Sequence, residues 1–157
     1  MARALPWCGL AVRLLAAAIW LVAGIAKLGD LEGFRAQVHT YDLLPGALEA
    51  PFAYSLPSVE VGLGLYLTLG LLVRPAAIFG CMLMVILIAA MAQAWARGLT
   101  LDCGYFGSLA REGVGPGTLA RDVALALPSV ALALRPARLL SLDRAWLHRP
   151  DRFAVAG

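Results

Sequence analysis

Charged side chains are scarce in this sequence. Asp, Glu, Lys and Arg make up 15% of its 157 residues, against roughly a quarter in soluble domains. With 61% hydrophobic residues, the chain is poorly suited to a water-facing globule and well suited to lipid. Cysteine is also sparse. Cys8, Cys81 and Cys103 form an odd set too small for a disulfide framework. His39 has no second ligand at metal spacing and His148 belongs to the basic tail, so no metal site is expected. Walker, dinucleotide and zinc-finger spacings are missing. The net charge is +3 and the pI about 9.0. The basic residues, however, flank apolar segments instead of forming a patch with interleaved aromatics, which argues against nucleic acid as a partner. The sequence contains no internal repeat.

What is present in quantity is apolar sequence in long runs. A helix needs about 20 mostly apolar residues to cross a hydrocarbon core, and four stretches qualify or nearly do: about 9–28, 51–73, 75–96 and 119–134. Hydrocarbon offers open backbone groups no partner, so each is expected to be helical. A cleaved signal peptide is the alternative for the first stretch, but Gly24-Ile25-Ala26 is a poor cleavage site and the run is long for that purpose. Pro45-Gly46, Arg74-Pro75, Pro116-Gly117 and Arg135-Pro136 punctuate the joints. The expected fold is all-α: an integral membrane four-helix bundle over residues 1–136, followed by a basic amphipathic cytoplasmic tail over 137–157.

Positive charge sets the expected orientation. With both termini cytoplasmic, eight basic residues lie inside (Arg3, Arg13, Arg74 and five from Arg135 onward). Five lie outside: Lys27, Arg35, Arg97, Arg111 and Arg121. The chain then reads as a multi-pass protein of a bacterial cell membrane. In the first outer loop, Leu31, Phe34, Val38 and Tyr41 recur at helical spacing between Asp30, a capping residue, and Pro45, a breaker. This predicts a short interfacial helix, with a plain lid over the bundle as the alternative.

Two residues stand out chemically. Cys103 lies in Arg97-Gly98-Leu99-Thr100-Leu101-Asp102-Cys103-Gly104-Tyr105-Phe106-Gly107, where glycines let the backbone turn and expose sulfur. This outward loop faces the compartment in which disulfide chemistry is permitted. Arg97 or Arg111 would supply a cation that favours the thiolate, and Asp102 would oppose it if close and ionised. Cys8 and Cys81 are expected near the inner side, about 30 Å of hydrocarbon away. A disulfide needs α-carbons within about 7 Å, so Cys103 would have to exchange with another molecule. The bland alternative is a free thiol packed beneath its loop. Glu60, inside the second stretch, is the other candidate, because a carboxylate in a span needs a partner or a task. Lys27 or Arg97 would pair with it. The structural reading is a buried ion pair, and the functional one a proton acceptor for a thiol or quinol.

In order and spacing, these residues resemble the MauE/DoxX family of redox-associated membrane proteins. The carriers are Ala23-Gly24-Ile25-Ala26-Lys27-Leu28, Phe34-Arg35, Tyr41-Asp42-Leu43-Leu44-Pro45, Leu56-Pro57-Ser58-Val59-Glu60-Val61-Gly62-Leu63-Gly64, Arg97-Gly98 and Asp102-Cys103-Gly104-Tyr105-Phe106-Gly107. The resemblance implies a four-helix membrane bundle that helps mature a disulfide-rich amine dehydrogenase, such as methylamine dehydrogenase, beside a thioredoxin-like partner. The chain would thus be an accessory to thiol–disulfide oxidoreduction, with Cys103 as the exchanging thiol. The alternatives are a non-enzymatic scaffold and a quinone-linked subunit of a redox complex, with quinone as the cofactor. Self-association stays open. Family members often carry Cys-Gly-Cys-Phe-Gly in this loop, and Tyr105 stands at the second cysteine position here. One thiol can accept a mixed disulfide but cannot resolve it alone.

Overall fold

The computed structural model describes residues 5–98 and 115–135. Cys103, Asp102, Tyr105 and the tail beyond Arg135 lie outside the described residues. Within them the chain is helical throughout, with five helices: α1 (Leu5–Gly29), α2 (Leu31–Tyr41), α3 (Gly46–Leu69), α4 (Val73–Ala96) and α5 (Pro116–Leu134). Three of these, α1, α4 and α5, are long and apolar enough to cross a membrane. α3 has 24 residues, about 36 Å at the helical rise, but it carries Glu49 and Glu60 and does not reach the same apolarity.

The joints follow local chemistry. Asp30 accepts the Gly33 N–H at 2.9 Å and so caps α2. α2 ends where Asp42 adopts a left-handed conformation (φ 50°), a position that Asp tolerates better than most residues. The turn between α3 and α4 differs from the sequence expectation. It falls at Gly70–Leu72, ahead of Arg74-Pro75: Gly70 (φ 68°) closes α3, and Leu71 N–H reaches back to the Tyr66 carbonyl at 2.9 Å. Pro75 sits instead in the first turn of α4, where a missing N–H removes no helical bond. At the start of α5 the Thr118 hydroxyl accepts the Gly115 N–H at 2.9 Å. α3 also begins earlier than expected, at Gly46, with Pro51 and Pro57 carried inside the helix. Pro51 and Pro57 leave the Ala47 and Ala53 carbonyls without their usual helical donors.

α1 packs chiefly on α3, α4 on α5, and α5 also touches α1; α2 lies against α3. The core is built from small residues around a few large ones: Ala16, Ala17, Ala23 and Ala77 beside Trp20, Leu67, Met84 and Leu132. Small residues let helix backbones approach closely, the usual device where no hydrophobic drive separates helix from lipid. Large apolar side chains meanwhile point outward on every long helix, among them Ile25, Leu65, Val85 and Leu127. Apolar surface on all sides is what a bilayer-facing bundle presents.

Gly24 sets the α1–α3 spacing. A Cβ there would stand 2.8 Å from the Pro57 carbonyl oxygen and 2.9 Å from the Val61 nitrogen. Both are backbone atoms, so no side-chain rotation relieves the clash. Gly24→Ala is expected to cost about 1–3 kcal/mol of stability, read as a lowered melting temperature in detergent. Gly62→Ala, which meets nothing within 4 Å, should melt like the parent.

Candidate functional site

The close α1–α3 contact brings Lys27, one turn beyond Gly24, against Glu60, one turn beyond Pro57. Lys27 Nζ donates to both carboxylate oxygens, at 2.5 and 2.7 Å, and the two side chains are 2% and 0% exposed. A bidentate pair so enclosed is held by geometry, since neither charge has water to fall back on. The ammonium also lies 5.5 Å from the centre of the Phe34 ring of α2, within cation–π range.

Asp122 of α5 adds a second buried carboxylate, only 1% exposed. Arg121 Nε donates to its Oδ1 at 3.2 Å, Oδ2 has no hydrogen-bond partner among the described residues, and the Lys27 charge is near enough to act on it. Asp122 is not among the residues that stood out in the sequence. The signal that could have found it is the same one that found Glu60, a carboxylate inside an apolar helix. Arg13, counted from the sequence among the inner-side basic residues, is buried at 2% exposure. Helix α1 turns that face toward the bundle.

Arg97, the other cation considered for Glu60, is engaged elsewhere. It donates to the Tyr41 carbonyl at 2.9 Å and approaches Asp42 at 3.8 Å, which ties the end of α4 to the end of α2. α2 is fastened to α3 as well: the Tyr54 hydroxyl donates to Glu32 at 2.6 Å, and His39 Nδ1 meets Glu49 at 2.9 Å. These ties hold α2 over an open apolar cavity of about 490 Å³. Phe34, Val38 and Tyr41 from α2, Phe52 from α3, and Leu87, Ala90 and Met91 from α4 contribute to its walls, with Lys27 among them. Cys8 is an exposed free thiol and Cys81 a half-buried one. Among the described residues no three metal-ligating side chains come together.

An all-α chain with three bilayer-length apolar helices, a buried Lys–Glu pair and a roofed apolar cavity defines a class of small helical protein suited to a membrane. The chain belongs to the family described as methylamine utilisation protein MauE, whose profile matches residues 5–135. It is 30% identical over 124 residues to the methylamine utilization protein MauE of Paracoccus denitrificans, covering 78% of this chain and 67% of that one. It is 34% identical over 112 residues to the protein of that name from Methylorubrum extorquens, covering 71% of this chain and 60% of the relative. With the Methylophilus methylotrophus protein it shares 36% over 100 residues, 63% of this chain and 53% of that one. The chain therefore spans between about half and two thirds of the curated relatives it matches. No solved structure matches it.

Proposed function

We propose that this chain is a four-span membrane helper for thiol–disulfide maturation of an extracytoplasmic partner in an amine-oxidising system, with Cys103 as its exchanging thiol. In this reading α3 completes the bundle as the fourth span despite its charges, because Glu60 is neutralised by Lys27 inside the protein and never meets lipid. Both termini are cytoplasmic, the tail rests on the inner leaflet, and α2 lies at the outer interface. The partner is a thioredoxin-like protein or an amine dehydrogenase subunit such as that of methylamine dehydrogenase. Membership of the family and the printed names of its relatives support the context.

The observation that carries the reading is the Arg97 tie. Arg97 stands six positions before Cys103 in the chain, and its bond to the Tyr41 carbonyl fixes the root of that segment beside α2. In the exchange, the Cys103 thiolate attacks one sulfur of the partner's disulfide. A mixed disulfide forms and the other partner sulfur leaves as thiolate. A second thiol, from the partner or a small molecule, then displaces Cys103. Tyr105, at the position where the family resemblance implies a second cysteine, cannot do this. Alkylation of intact cells with a membrane-impermeant maleimide is expected to label Cys103 and to spare Cys8 and Cys81. Protection of Cys103 in intact cells, with labelling only after lysis, would end the proposal.

A further inference from the structure

From the cavity beneath α2, we infer a site for a retained lipid: one acyl chain of a bilayer glycerophospholipid lies in it, with the ester end at the level of α2. The cavity opens sideways. Ile86 both lines it and is 57% exposed, so the opening lies on the outward face of α4. Ile86 stands ten residues before Ala96, the end of α4, which is about 15 Å at the helical rise. That is half of a hydrocarbon core of about 30 Å. With α4 as a span, the opening meets acyl chains and not water.

Polarity along the cavity follows depth. The Arg97 bond to the Tyr41 carbonyl sets the end of α2 level with the end of α4. Gln37 and Gln93, each four residues before one of those ends, put amides into the wall at that level, where they suit ester carbonyls. Deeper, the wall is Ile86, Leu87, Ala89 and Ala90. A water molecule there would lack the roughly three polar partners it needs, and an empty void would forfeit dispersion contacts along its lining. An acyl chain supplies those contacts, and about 490 Å³ is in the usual range for a small-molecule site, roughly 300–1,000 Å³. Lys27 borders the cavity but directs its ammonium to Glu60. The ties from Tyr54 and Arg97 make α2 a bridge across this trough, which holds a chain more firmly than the open lipid-facing surface does.

The inference takes from the proposed function only that α4 spans the bilayer; Cys103 has no part in it. Its test uses membranes holding the full chain and a phosphatidylethanolamine with a diazirine midway along one acyl chain. Photolysis is expected to give saturable cross-links concentrated on residues 86–90, displaced by unlabelled phosphatidylethanolamine. Native mass spectrometry of the purified chain should show one phospholipid retained. Ala90→Trp, which fills the cavity from a half-buried position, should lose both signals. Val85→Trp, on a 66% exposed position of α4 outside the lining, should keep both. Cys103→Ser should also keep both, whatever thiol labelling shows. Cross-links spread evenly over the exposed faces of α1, α4 and α5 overturn the assignment, and this readout on the parent does not depend on any variant folding. Undiminished cross-linking of a folded Ala90→Trp protein also overturns it. So does displacement of the probe by decylubiquinone at lower concentration than by phosphatidylethanolamine, which would give the cavity to a flat ring.

Discussion

Lys27→Met is expected to destabilise the folded protein by about 3–5 kcal/mol, because it leaves the Glu60 carboxylate buried with no counter-charge. Glu60 is 0% exposed and both its oxygens bind the one ammonium, so water cannot take over. Glu60→Met should cost a similar amount by stranding the ammonium. The double replacement, Lys27→Met with Glu60→Met, fills the same space with apolar atoms. It should recover most of the loss, since a buried ion pair pays for its own desolvation and a hydrophobic substitute does not. Thermal unfolding of the four proteins in one detergent gives the coupling energy. Losses that simply add, with no recovery in the double variant, would show that the two charges act independently. Such a result would contradict the bidentate geometry.

Cys103→Ser should abolish capture of the partner as a mixed disulfide and stop maturation of the client while leaving the fold intact. The substitution exchanges one small side chain for another of similar size and removes the nucleophile. Acid quenching and alkylation of cells, followed by non-reducing gels, should show an adduct in the parent and none in the variant. Tyr105→Cys gives the opposite change: with a resolving thiol two residues away, the adduct should become shorter-lived and its steady-state amount fall. If the Cys103→Ser strain matures its client at the parent rate, the chain acts as a scaffold and the sulfur is incidental.

The helices were legible because their signals are local. Long apolar runs mark α1, α4 and α5, and an Asp30 cap with apolar spacing marks α2 before any coordinates are consulted. Local signals misled at the α3–α4 joint. Arg74-Pro75 resembles a turn, but proline is equally at home in the first turn of a helix, and it was Gly70 with its left-handed backbone that closed α3. Glu60 was conspicuous as a carboxylate among apolar neighbours. Its partner was not, because Lys27 and Arg97 were both eligible by position and only the crossing of α1 over α3 chose between them.

The amino-acid order by itself determined what kind of solvent this chain suits and which segments coil, since hydrophobicity and hydrogen-bonding need act within a single segment. Only the tertiary structure decided which groups meet. Gly24 against the Pro57 backbone brings Lys27 to Glu60, the inward face of α5 buries Asp122, and the ties from Tyr54, Glu49 and Arg97 hold α2 above an apolar cavity. These outcomes depend on how far apart and at what rotation the helices pack. That is a property of several segments at once, which no single stretch of sequence encodes.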